Sequence, residues 1–304
     1  MKSTTSPMLL SQLNPDNNLQ DALTRLESEV RNAPGSASQR WALAEMLCVM
    51  GQWERALKQL QVGAKLVDGK DSPWHAKAQM LRSLIRAEAQ RTEVFAGQLL
   101  PVPVVDRPFW MEDLARAIAA NASGDHGQAD SLRSAALEQA PTSAGVCAQQ
   151  GDGADAQSST EQAFAWIGDT DTRLGPVFEC MLAGGYRWLA FADIASLQVA
   201  QPSSLLDLVW LPITLQLCGT QAGAQALRGF VPARYSGTEN IAAEIGSSQR
   251  DALMLARLTR WQDVGETGVF ALGQKTLMGS EGDIPLLGIR SLRMDSDHTQ
   301  QGSA

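Results

Sequence analysis

One change of period divides this chain. From residue 19 to residue 140, apolar side chains recur at every third or fourth position, the spacing of helices that each bury one face. Beyond about residue 160 they come instead in short runs punctuated by glycine and proline, the mark of short strands. A chain with both textures in sequence is expected to be α + β, with helices first and a sheet after them.

The helical half can be read turn by turn. Leu19, Ala22, Leu23, Leu26 and Val30 form one stripe, and Pro34-Gly35 ends that helix. A second helix begins near Ser38 and lines up Trp41, Ala44, Leu47 and Met50 until Gly51. A third gathers Trp53, Ala56, Leu57, Leu60, Ala64 and Val67. Pro73 sits where a first helical turn tolerates it, and a long helix runs from Trp74 to about Leu99. Pro101, Pro103 and Pro108 then break the chain before a last pair, about 109–123 and 128–139. The tryptophans Trp41, Trp53, Trp74 and Trp110 fall on the apolar stripes and are expected in the core.

A repeat runs through these helices. Gly124-Asp125-His126 with Ala129, Ala136 and Pro141 has the spacing of a tetratricopeptide (TPR) second helix, as do Gly51-Gln52-Trp53 with Ala56 and Leu60, and Ala22 with Leu26 and Pro34. Such hairpins cannot cover their apolar faces alone and must stack. The expectation is a TPR-like array with a concave peptide-binding surface, the alternative being a purely structural bundle.

From Thr142 to Thr160 the composition turns to Ala, Gly, Gln, Ser and Asp without bulky apolar residues, which reads as a flexible linker. Past it, Val177 to Leu182 and Tyr186 to Phe191 flank Ala183-Gly184-Gly185 as a hairpin. Runs at 194–199, 208–210, 213–218, 227–231 and 286–294 are further strand candidates, and 248–261 looks helical with an end that could be extended. The organisation predicted is a TPR-like all-helical domain at 1–142, a linker at 143–160, a small β-rich domain at 161–294 (antiparallel sheet or barrel-like), and a polar tail at 295–304.

Composition narrows the function classes. The 304 residues carry a formal charge of −8, which argues against nucleic acid or an anionic membrane as the main partner. The apolar run at Met8-Leu9-Leu10 is too short for a signal-peptide core, and no stretch approaches a membrane span, so a cytoplasmic protein is expected. Cys48, Cys147, Cys180 and Cys218 are far apart and read as reduced thiols. The three histidines His75, His126 and His298 have no ligand spacing, and no nucleophile elbow, phosphate loop or dinucleotide fingerprint is present. No catalytic residue, cofactor, metal or small-molecule substrate is therefore expected. One constellation is worth weighing: Asp169-Thr170-Asp171 with Arg173 would hold a cation or a partner's basic side chain, or would simply be a solvated turn.

Several motifs recur in a recognisable order. They are Trp166-Ile167-Gly168-Asp169-Thr170-Asp171-Thr172-Arg173-Leu174-Gly175-Pro176, Tyr186-Arg187-Trp188, Asp207-Leu208-Val209-Trp210-Leu211-Pro212, and Val231-Pro232-Ala233-Arg234-Tyr235-Ser236-Gly237-Thr238-Glu239. Leu258-Thr259-Arg260-Trp261, Gly273-Gln274-Lys275 and Ile284-Pro285-Leu286-Leu287-Gly288-Ile289-Arg290 complete the series. With Trp53-Glu54-Arg55-Ala56-Leu57 in the helical half, the chain resembles the ImpE/TagJ (SciE-type) family of bacterial type VI secretion accessory proteins. The resemblance implies a non-enzymatic cytoplasmic adaptor whose partners are the small subunit of the contractile sheath and the AAA+ ATPase ClpV. Within the motifs, Asp169, Asp171, Arg173, Trp210, Arg234, Tyr235 and Glu239 are the candidate protein-binding residues. The bland alternative makes Tyr235 a satisfied core tyrosine and Arg234 its polar neighbour. Two other functions compete: a hydrolase working through Asp169, Asp171 and Glu179, and a generic TPR co-chaperone.

Overall fold

The structure is a computed structural model, and it describes residues 18–67, 69, 72–150, 159–219, 225–241 and 246–295. Six helices come first: α1 (Leu19–Asn32), α2 (Ala37–Val49), α3 (Trp53–Ala64), α4 (Pro73–Phe95), α5 (Phe109–Ala122) and α6 (His126–Gln139). Their starts are chemically marked. The side chains of Asn18, Ser36, Ser72 and Asp125 each accept a backbone N–H of the first turn, and Pro73 opens α4. Gly51 and Gly124 take positive φ at the tight turns that fold α2 onto α3 and α5 onto α6. The expected stripe of α1 is buried residue for residue, whereas α2 is buried on nearly every side, Glu45 included. Trp41, Trp74 and Trp110 are buried, and Trp53 is half-buried against Trp210 with ring centroids 5.5 Å apart.

The short strand β1 (Val102–Pro103) lies between α4 and α5, and beyond the helices come β2 (Gly145–Gln150), β3 (Ser159–Phe164), β4 (Ile167–Asp169), β5 (Val177–Leu182), β6 (Gly185–Ala190), β7 (Ile194–Val199), β8 (Trp210–Leu217) and β9 (Leu227–Pro232). The short helix α7 (Ser247–Met254) precedes β10 (Thr259–Val264), β11 (Gly268–Gly273), β12 (Thr276–Gly279), β13 (Gly282–Pro285) and β14 (Ile289–Met294). Among the described residues, nine strands form one sheet in the order β1-β6-β5-β9-β8-β7-β14-β2-β3, parallel only between β1 and β6. A three-stranded sheet β13-β12-β4 and the hairpin β10-β11 complete the β structure.

Where the elements differ from the sequence reading, pairing is the reason. Part of the segment expected as a linker is sheet: β3 begins at Ser159, and residues 145–150 form β2, which lies between β14 and β3. Its Gly, Ala and Gln residues are held by backbone ladders, which need no bulky side chains. Residues 151–158, the middle of that segment, lie outside the described residues, as does the 296–304 part of the tail. Of the expected strand at 208–210, Leu208 ends a 3-10 turn, Leu205–Leu208, that carries a reciprocal capping box between Ser204 and Asp207, and Trp210 opens β8. Strand β8 instead runs unbroken through Pro212, because β7 ends opposite Ile213 and the missing N–H costs no ladder bond there.

The large sheet is buried on both faces, so β5 is apolar along its whole length except at Glu179. Val177, Met181, Tyr186, Trp188 and Trp210 face the helices and share one continuous core with α1 to α5. Phe178, Cys180, Leu189, Leu211 and Ile213 face the opposite way and pack with Ile167, Leu277 and Ile284 of the three-stranded sheet. The helical half therefore lacks a core closed off from the sheet.

Candidate functional site

Glu179 is the one acidic residue of β5, and it points at α4. Arg91, three residues after Glu88 on α4, donates from Nε and Nη2 to the two Glu179 carboxylate oxygens, both at 2.7 Å, and from Nη1 to Glu88 Oε1 at 2.9 Å. Tyr186 Oη donates to Glu179 Oε2 at 2.8 Å and accepts from Trp188 Nε1, while Trp210 Nε1 donates to the second oxygen of Glu88 at 3.0 Å. On the far side, Lys275 Nζ lies 2.7 Å from Glu179 and 2.6 Å from Asp169. Burial would push the Glu179 carboxyl up, but Arg91 and Lys275 outweigh it and hold the group down at about 2. Lys275 is pushed down by burial and raised overall by Asp169 and Glu179.

The motif at 169–173 continues this chain of charges. Asp169 Oδ1 accepts from the Asp171 backbone N–H and from Tyr235 Oη, and Tyr235 Oη accepts the Thr276 backbone N–H. Asp171 is gripped by Arg173, whose Nε lies 2.9 Å from Oδ1, and it also accepts the Ala271 backbone N–H. The Arg173 guanidinium is sandwiched between Phe95 and Phe270, 4.7 and 4.4 Å from their ring centroids, and Arg133 of α6 lies against Phe270 at 5.9 Å. Helices α4 and α6 are thereby joined to β11 through stacked rings and guanidinium groups.

Arg234 closes the other end. Its Nη1 donates to the carbonyls of Val49 at 2.8 Å and Met254 at 2.6 Å, so one side chain ties α2 to α7. Its own carbonyl accepts from Arg91. Glu239, half-buried, packs against Gly51, and burial together with Glu88 raises its carboxyl above the ordinary range.

Six of the seven candidate binding residues, Asp169, Asp171, Arg173, Trp210, Arg234 and Tyr235, thus lie in one connected interior with Glu239 at its margin. The solvated-turn reading of 169–173 is corrected: Asp169 and Asp171 are buried, because Lys275, more than a hundred residues on, and Arg173 supply their counter-charges. Arg234 and Tyr235 occupy the places that the fold-maintenance alternative describes. Glu88, Arg91 and Lys275 belong to this interior without having been among the candidate binding residues, although Lys275 closes the motif Gly273-Gln274-Lys275. For Glu88 and Arg91 a signal was present, since this Glu-x-x-Arg pair falls on the apolar stripe of α4, where two charges make sense only if they meet partners. Among the described residues no group of three His, Cys, Asp or Glu side chains is placed to hold a metal ion. None of the described helices is long and apolar enough to cross a membrane.

Comparison with known proteins follows this architecture. The family model described as ImpE protein matches residues 161–293, from β3 to β14. The type VI secretion system accessory component TagJ of Pseudomonas aeruginosa is 37% identical over 285 residues, covering 94% of this chain and 90% of TagJ. The crystal structure of a Vibrio parahaemolyticus protein superposes with a TM-score of 0.75 at 25% identity, covering 93% of this chain and 96% of the other. With a relationship to TagJ that spans both the helices and the sheet, this chain belongs to the ImpE family.

Proposed function

We propose that this chain is a non-enzymatic accessory protein of a bacterial type VI secretion system. On this reading it is a cytoplasmic adaptor that binds the small subunit of the contractile sheath and works beside the ClpV ATPase. The observation that carries the reading is the end-to-end relationship to TagJ, an accessory component of such a system. The expected ligand is a short amphipathic helix of the sheath subunit, gripped by apolar anchors at helical spacing. The hydrolase alternative loses support from the same interior. Asp169, Asp171 and Glu179 are each buried and engaged by Lys275, Arg173 or Arg91, so all three are committed to cations of the fold.

Calorimetric titration of the purified full chain with the small sheath subunit, with and without ClpV, tests the proposal. Saturable binding is expected, weakened modestly by added salt because the chain is acidic. Absence of binding to the sheath subunit under both conditions would overturn it.

A further inference from the structure

A second feature borders the ionic interior at Asp169. The last turn of α6, the chain leaving it, β4 and the β12 strand beside it enclose a groove of about 220 Å³. Three large apolar side chains line this groove and remain open to solvent: Leu137 at 40%, Trp166 at 38% and Met278 at 41% of their full exposure. Such clustering in one concavity marks a place where apolar groups are covered by something else. Gly168 forms part of the floor. It stands directly across from Met278, and a side chain there would crowd the Gly175 carbonyl, so glycine keeps the groove open.

The exposed charges placed next to the groove's apolar side chains are acidic. Glu138 follows Leu137 on α6, and Asp283 is the cross-strand partner of Met278, with Glu281 in the connecting turn; all three are exposed. The cations nearest in sequence are all engaged within the fold: Arg173, beside the lining residue Thr172, is half-buried and paired with Asp171, and Lys275 and Arg133 are buried and paired with Asp169, Glu179 and Asp130. The groove also abuts the C-terminal end of α6, where unpaired carbonyls favour positive charge.

We infer that this groove is the docking site for an amphipathic segment that inserts a bulky apolar anchor between Leu137, Trp166 and Met278. Lys or Arg residues flanking that anchor face Glu138, Glu281 and Asp283. The inference rests on the adaptor reading and deepens it, since the small sheath subunit is the partner that would carry the segment. It moves recognition from the concave face of the helical hairpins to the seam between α6 and the three-stranded sheet. Apolar burial supplies most of the affinity and the acidic rim sets register and capture rate.

The experiment is a titration of the full chain with fluorescently labelled small sheath subunit, at low and moderate salt. The L137E/M278E variant is expected to weaken binding about tenfold or more. E138K/D283K should weaken it about threefold at low salt and flatten the salt dependence. All four positions are exposed, so thermal melting of each variant should match the parent. Parent binding that neither pair of substitutions disturbs would overturn the groove while leaving the adaptor reading intact. Loss with the apolar pair alone would overturn the basic character of the partner. A parent chain that does not bind the sheath subunit would overturn the adaptor reading and this inference together.

Discussion

Arg91 and Glu179 lie 88 residues apart in the chain and meet side-on, with two parallel N–H to carboxylate contacts of 2.7 Å in the middle of the folded core. A buried pair of this kind contributes little over an apolar pair of equal volume, yet removing one partner strands the other. Arg91→Met is therefore expected to cost about 3–5 kcal/mol, because Glu179 and Glu88 lose their shared counter-charge. Urea unfolding measures it, and the double variant R91M/E179M should recover part of the loss. A single variant as stable as the parent would mean that the pair is not formed.

The same carboxylate makes stability depend on acid. Glu179 titrates at about 2 in the folded chain against an ordinary 4.5. Its folded value is depressed, so its contribution is fully present above 4.5 and is lost as pH falls from 4.5 towards 2. Up to about 3 kcal/mol should disappear across that window. Denaturant midpoints measured at intervals from neutral pH downward should show the decline, and E179Q should make the slope shallower. An unchanged slope in E179Q would assign the acid sensitivity elsewhere.

Tyr235 offers a test of a single hydroxyl. Its oxygen joins Asp169, Thr170 and the Thr276 backbone, all buried. Tyr235→Phe keeps the ring beneath Lys275 but leaves the Thr276 N–H and an Asp169 oxygen short of a partner, at a cost of about 1–3 kcal/mol. Thermal melting reads the loss directly. A neutral outcome would show that water replaces the hydroxyl.

The shared core bears on whether the two halves are independent. Residues 19–142 expressed alone would expose the face of α4 that carries Glu88 and Arg91, and the apolar surface that Trp188 and Trp210 cover. That fragment is expected to bind a hydrophobic dye and to melt without a sharp transition, and adding 143–304, which carries β2 and the rest of the sheet, should restore cooperativity. A sharp, dye-free melt of the fragment by itself would restore the picture of separable domains.

At the other helix–sheet seam, Asp130 of α6 accepts the backbone N–H groups of Glu266 and Thr267 in the β10–β11 turn, and its carboxyl is held well below the ordinary range by those bonds. Asp130→Ala should speed amide hydrogen exchange at Glu266 and Thr267 while leaving the core amides slow. Equal protection in both proteins would show that the turn holds itself.

How much of this was legible beforehand can be judged from particular residues. The α1 stripe, the turn at Gly51 and the hairpin at Ala183-Gly184 were readable because each is a local pattern, decided by neighbours within a few positions. Strand β2 was not, since Gly145–Gln150 carries no local strand signal and is made a strand by its neighbours β14 and β3. Asp169 and Asp171 were visible as a motif, but their environment was invisible, because the charges that answer them come from Arg173 and from Lys275 on a distant strand. The amino-acid sequence by itself determined the order of the first six helices, which of their faces are apolar and which family the chain resembles, though α4 ends at Phe95 and α7 at Met254, short of the ends read from periodicity. Only the tertiary structure decided which charges are buried, because a carboxylate stays ionised in the interior only where folding brings it a cation, and that meeting depends on positions far apart in the chain.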